Sequence, residues 1–442
     1  GSLGKLAREG SSDQLLDRLD IIDELLPSLD ACEAAPLLER PHLVPAPDLA
    51  ATVAELEVEL AKVEGRYDGD ADYEAAFRSG EALLARARTT GFDPLTAEVQ
   101  LLVGQIEHAR TKQDASTAER RLSEAVWTAQ RAGHDEVLVR AAAQLVTMLA
   151  LQGRLEPARL WADLARATLP RLGPGGVADA ELLLALAELA TAEGDFELAL
   201  QERGRAIAQL EQLDRTHHRS YLRAGLAQAN DLREVGRYDE AAALLERTRE
   251  QTIAFHGPDH PRVADVLETF ANLRSSQGHQ AEALELSRAA LAMVERVYGE
   301  DSLEVAKVLN NLAIVLDESG RNSEAVGVLE RARTIFARSG EGHEKALAYV
   351  EVNLGQALHN LGRHDEAEQH YRVALATFVA LYGEEHPNVV VARLNLAATR
   401  THGPEVLLAL DELEQGRQKL ELLLGPTHPD LAELELERAR TL

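Results

Sequence analysis

His256, Asp259 and His260 fall within five residues, and imidazole and carboxylate donors so spaced could meet around a metal ion. The His-Pro pair of that loop returns at His386-Pro387 and His428-Pro429 without the other donors. A residue repeated at every loop reads as serving the loop, here as a hydrogen-bond partner for the start of the next helix, so no metal site is expected. His217-His218 reads as a further helix start. Gly173-Pro174-Gly175-Gly176 is rich enough in glycine to wrap a phosphate, but no Lys-Ser/Thr follows it, and it reads as a long turn. Cys32 is the only cysteine, which excludes an internal disulfide and a cysteine-held zinc, and no His or Lys stands beside it to lower its pKa. The 74 carboxylates give no acid/base pair by spacing alone, because Glu on a helix surface is normally a solvated face. The glycine-rich loop, lysine, catalytic loop and metal-binding Asp of a kinase core are all missing from the sequence. No catalytic, cofactor-binding or metal-ligating residue is therefore expected.

The elements that would carry any such chemistry are helices. Only 4% of the 442 residues are aromatic, and Ala, Leu, Glu and Arg, strong helix formers, dominate. With 45% apolar and 27% charged residues the chain reads as folded and soluble. The net charge of −28 repels phosphate backbones and anionic lipid, so neither nucleic acid nor a membrane surface is an expected partner. No apolar run is long enough to span a bilayer. The single cysteine suits a reducing, cytoplasmic setting. The opening Gly1-Ser2 reads as a tag-cleavage scar at residues 1–2, and the chain as part of something longer.

A fixed period organises the sequence. Gly-x-x-x-x-Ala occurs at Gly153/Ala158, Gly194/Ala199, Gly236/Ala241, Gly278/Ala283, Gly320/Ala325 and Gly362/Ala367, in steps of 41 and then four of 42. Gly257, Gly299, Gly383 and Gly425 keep the same beat, with Gly340 one residue early. Small residues stand seven before the turn glycine (Ala187, Ala229, Ala271, Ala313, Gly355) except at Val146, and alanine stands twelve after it except at Thr248. Each unit reads as two helices joined by a tight turn. Glycine sits where the first helix ends in a left-handed residue, and alanine where two backbones approach closely.

This pattern resembles the tetratricopeptide repeat (TPR) in its 42-residue, kinesin-light-chain-like form. Leu309-Asn310-Asn311-Leu312-Ala313, Gly320-Arg321 and Glu324-Ala325 carry the resemblance, with the loops His256-Gly257-Pro258-Asp259-His260-Pro261, Tyr382-Gly383-Glu384-Glu385-His386-Pro387 and Leu424-Gly425-Pro426-Thr427-His428-Pro429. It implies an all-α fold, a right-handed TPR superhelix or α-α solenoid of about nine helix pairs. Divergent repeats one and two would occupy 48–133, with helices at 48–64, 72–88, 94–110 and 114–131. The array proper would occupy 134–429, and a capping helix 430–442. The ninth repeat, near Gly403-Pro404, is degenerate.

The resemblance also implies a concave groove lined thirteen, nine and six residues before each turn glycine. Those positions hold Arg223, Lys307 and Tyr349; Asn311, Asn353 and Asn395; and Asn230, Asn272 and Gln356. Two roles for the asparagines stay open: bonding successive peptide groups of an extended ligand, or bridging neighbouring repeats.

Residues 3–47 differ. Leu15, Leu16, Leu19, Ile22 and Leu26 form an amphipathic helical stripe after Ser11-Ser12-Asp13, and Pro36, Pro41, Pro45 and Pro47 make an extended connector. The run Asp13–Pro27, Ala31-Cys32, the prolines, Arg66-Tyr67 with Glu74-Ala75-Ala76, and Gly133-His134-Asp135-Glu136-Val137 resemble the C-terminal region of myxobacterial-type bacterial serine/threonine protein kinases. That resemblance implies a parent with kinase activity and places none here. The expectation is a non-enzymatic module binding a peptide or protein segment in its groove, as the sensing or docking arm of such a kinase. The alternative is an array sensing a small ligand, as TPR-type transcription regulators do, and self-association stays open.

Overall fold

The computed structural model describes residues 41–67, 73–110, 115–173, 175–213, 219–340, 342–384, 386–400 and 406–424. Eighteen α-helices follow one another there, and no strand occurs among the described residues. They are α1 Ala50–Gly65, α2 Tyr73–Thr90, α3 Asp93–Arg110, α4 Ala115–Ala132, α5 Asp135–Ala150, α6 Leu155–Thr168, α7 Val177–Ala192, α8 Phe196–Gln212 and α9 Arg219–Glu234. Then come α10 Tyr238–His256, α11 Pro261–Ser276, α12 Gln280–Tyr298, α13 Leu303–Glu318, α14 Asn322–Arg338, α15 Glu344–Asn360, α16 His364–Tyr382, α17 Pro387–Thr399 and α18 Val406–Leu424. Taken two by two they make nine pairs, as the spacing predicts. The amphipathic stretch 13–27, Cys32, the turns at Gly69, Thr111 and Gly403-Pro404, His217-His218 and the capping helix 430–442 lie outside the described residues. Of the proline-rich connector, expected to be extended, the described part folds Pro41–Leu43 into one 3-10 turn, with His42 Nε2 3.4 Å from the carbonyl oxygen of Gly133.

The turn glycines work as the sequence implies. Gly153, Gly194, Gly236, Gly278, Gly320 and Gly362 all have φ between 69° and 77° or at 78°. At Gly320 the N–H bonds the Asp317 carbonyl (2.8 Å) and the next N–H, of Arg321, reaches back to Leu316 (2.8 Å). The reach of the second bond, five residues back, is that of a Schellman cap, which satisfies carbonyls the helix end would leave bare. The alanines five residues on, Ala158 to Ala367, are all fully buried, and so are Ala165, Ala206, Ala290, Ala332 and Ala374. Gly355 takes the small position because a Cβ there would come 2.7 Å from the Tyr371 ring.

Two units divide the chain. One comprises Gly1–Leu189 and Arg205–Tyr221, the other Ala190–Gly204 and Leu222–Leu442. In the first, α1, α2 and α3 enclose Val53, Leu56, Leu83, Leu95, Val103 and Ile106. In the second, α11 to α15 share a core of Val305, Leu309, Leu312, Leu329, Ile335 and Leu354. In the first unit α1 to α6, and in the second α10 to α18, pack each on the next, and first helices of successive pairs also touch: α11 on α13, α13 on α15, α15 on α17. That second set of contacts forms the wall on which the predicted groove residues stand.

Candidate functional site

The wall is positioned by its helix starts. His260 precedes Pro261 and its Nδ1 accepts from the N–H of Arg262 (3.2 Å); His386 does the same for Asn388 (3.1 Å). Proline occupies the first turn, where its missing N–H is harmless. The recurring histidine is thus a helix cap, as expected. Asp259, its neighbour, pairs with Arg296 at 2.7 Å.

Thirteen residues before the turn glycine, Arg223 and Lys307 are exposed, and Lys307 Nζ lies 3.4 Å from Glu304. Tyr349 lies edge-on to Phe378 with ring centroids 5.3 Å apart, and its hydroxyl accepts from Asn388 Nδ2 (2.8 Å). Burial pushes this phenol above the ordinary tyrosine range. The same count gives Asp265, which the sequence reading passed over.

Nine residues before the glycine, Asn311 Nδ2 donates to Glu268 Oε1 on the preceding repeat, and Asn353 Nδ2 to Asn310 Oδ1, both at 2.9 Å. Asn360 donates to Asp317 (3.0 Å), Arg233 to Ser276 (3.2 Å), and Ser275 to Glu318. Each of these bonds joins residues 43 apart, forming a polar ladder between successive first helices. The amides of Asn311 and Asn353 therefore brace the wall and leave their carbonyl oxygens for a ligand.

Asn230, Asn272 and Asn395 make no side-chain bond among the described residues. Gln356 accepts from the Tyr371 hydroxyl and donates to Asn360, both at 3.2 Å. Ile314 holds the equivalent place between Asn272 and Gln356 and is 41% exposed.

The residues that sequence reasoning missed are carboxylates. Asp265 and Glu268 lie one turn apart on α11. Asp265 meets solvent, yet the protein wall around it excludes much of the water that would hydrate its charge. This burial pushes its carboxyl up to about 6 against the pull of Arg262 and Lys307. Burial pushes Glu268 up to about 7, opposed by the Asn311 bond and reinforced by Asp265. Asp317 is raised for the same first reason, against its bond from Asn360. The wall thus offers a surface whose charge changes near neutrality.

Two other features of this unit lie around α8, α9 and α10. A cleft of about 750 Å³ between α8, α9 and α10 is lined by Asp195, Gln201, Gln228, Arg237, Glu240 and Arg247, and Arg237 is held in bidentate fashion by Glu240 (2.7 Å for both bonds). Below it Arg203 bonds Asp231 (2.8 Å) and Thr191 (2.9 Å), with both charged side chains only 2% exposed.

The comparisons with known proteins bear on the repeats and the fold. The tetratricopeptide repeat family matches residues 222–295, 281–338 and 344–403, so the chain carries such repeats there. A solved Rap protein, complexed with competence and sporulation factor, is similar over 78% of this chain and 99% of its own, at 13% identity and a TM-score of 0.50. BtubC (BKLC) from P. vanneervenii is similar over 53% and 94%, at 21% identity and a TM-score of 0.43. A putative kinesin light chain of Podosopora anserina with nearly identical TPR-like repeats is similar over 46% and 97%, at 22% and 0.39. At 13% identity the likeness to the Rap protein is one of fold alone. No curated protein matches the chain. Tetratricopeptide repeats are in general protein-interaction modules, and no helix among the described residues is long and apolar enough to cross a membrane.

Proposed function

We propose that the wall formed by α9, α11, α13, α15 and α17 binds an extended peptide or protein segment, and that the chain does so without catalysing a reaction. The observation that carries this reading is the row of side chains left over once the repeats are braced. Arg223, Asn230, Asn272 and Asn395 have no side-chain partner among the described residues, and Ile314 and Tyr349 expose apolar surface between them. An extended chain presents one N–H and one C=O per residue, and a free carboxamide answers both. Lys307, Asn311, Asn353 and Gln356 take part through the atoms their internal bonds leave over.

A peptide selected from a random display library supplies the test. Asn272→Ala with Asn395→Ala removes two bonds worth ~0.5–1.5 kcal/mol each, so affinity should fall roughly 5- to 150-fold at an unchanged melting temperature. Binding that ignores these changes, and tracks substitutions on the second helices instead, removes the reading.

The finer proposal is that this array is the sensing or docking arm of a bacterial serine/threonine kinase working in the cytoplasm. Its support is the sequence resemblance of residues 13–137. The coding sequence upstream decides it: a glycine-rich loop, a catalytic HRD-type loop and a DFG-type site must stand there. The rival, a small ligand sensed by the array, has the cleft beside Arg237 in its favour. The arginine's existing pair with Glu240 places the peptide reading ahead, and a ligand-dependent melting shift would reverse that order.

A further inference from the structure

The first unit carries an apolar patch on its second helices. Trp127 of α4 is 52% exposed and its ring centroid lies 5.9 Å from that of Trp161 on α6; Leu160 beside it is 72% exposed. Trp127 and Leu160 turned to water, with a part-buried Trp161, form a patch of the kind that marks a docking surface. Arg120 and Arg131 flank Trp127 on α4 and have no acidic partner among the described residues, in a chain whose net charge is −28.

The described chain starts close to this patch. His42 packs so tightly over Gly133, just past the end of α4, that a Cβ on the glycine would come 2.8 Å from its ring. Trp127 is six residues back along the helix, about 9 Å at 1.5 Å per residue. Residues 28–40 can extend ~43 Å at ~3.3 Å each, well beyond that gap. Ahead of them, residues 13–27 place Leu15, Leu16, Leu19, Ile22 and Leu26 on one helical stripe. The same segment carries Asp13, Asp17, Asp20, Asp23 and Glu24 against the single cation Arg18. Its apolar stripe suits the tryptophans and its acidic flank suits Arg120 and Arg131.

We propose that residues 13–27 dock as an amphipathic helix on the α4–α6 face and cover Trp127, Leu160 and Trp161. The occupant is a segment of this same chain, tethered by residues 28–40, so docking is intramolecular and independent of protein concentration.

The chain contains its own reporters. Trp127 and Trp161 are its only tryptophans and Cys32 its only cysteine. In the full chain, tryptophan emission should be blue-shifted and shielded from acrylamide. Leu19→Asp with Ile22→Asp should shift it to the red and raise quenching while helix content by circular dichroism holds. Adding a peptide of residues 11–28 to that variant should restore the shielding. Independently, an acceptor dye on Cys32 should quench the tryptophans of the parent and less those of the variant. Emission identical in parent and variant overturns the proposal. Shielding that fades on dilution overturns it too, in favour of a second copy of the chain as the occupant.

Discussion

Ala325 shows what one methyl group decides. It is fully buried, five residues after its turn glycine, as are its equivalents in five other repeats. Ala325→Leu should overpack that contact at a cost of roughly 1–3 kcal/mol, read as a lowered melting temperature. Glu268 gives a second prediction at this scale, through its proton. Its native pKa, about 7, lies above the value it would have unfolded, so between about pH 4 and pH 7 the folded state holds the proton more often. Stability from this group therefore falls as pH rises through that window, and Asp265 adds to the trend. Glu268→Gln keeps an acceptor for Asn311 and removes the charge. It should melt above the parent at pH 8, by a solvent-screened gain on the order of 1 kcal/mol, and level with it at pH 5. A variant that melts below the parent at both pH values would mean that Asn311 needs the ionised carboxylate.

Between helices, the bonds that hold neighbours together are of two kinds. The Arg203–Asp231 pair ties α8 to α9 in a dry site and draws in Thr191 of α7. Asp231→Ala would strand a buried guanidinium, and the expected loss by chemical denaturation is about 3–5 kcal/mol, little changed by salt. Arg203→Met with Asp231→Leu should recover most of it, because neither charge is then left alone. Apolar and steric features of the helices were legible in the sequence, since an invariant contact forces an invariant residue every 42 positions. The polar ladder was not. Its partners are 43 apart and differ in type at each step, as in Asn311–Glu268 and Asn353–Asn310, so no single repeat displays the pattern. Asp265 was countable in the register but gave no hint of its raised pKa, which arises from the wall around it.

Within each unit, stability is a sum of neighbour contacts, because α1 to α6 and α10 to α18 each pack on the helices next to them in sequence. Denaturation of the full chain should therefore depart from a single two-state transition, with circular dichroism and tryptophan emission following different curves. Coincident curves would show the chain unfolding as one unit. The turns that set this architecture impose one last condition. At Gly320, φ is +70° and a side chain would meet nothing within 4 Å. Room is therefore not what excludes other residues there; the exclusion is one of chirality. Gly320→Ala should lower stability by roughly 1–2 kcal/mol, the penalty an L-residue meets in a left-handed conformation. A D-alanine placed at the same position by chemical ligation favours that conformation, and should raise the melting temperature above that of the glycine chain. The turn distinguishes mirror images while remaining indifferent to size.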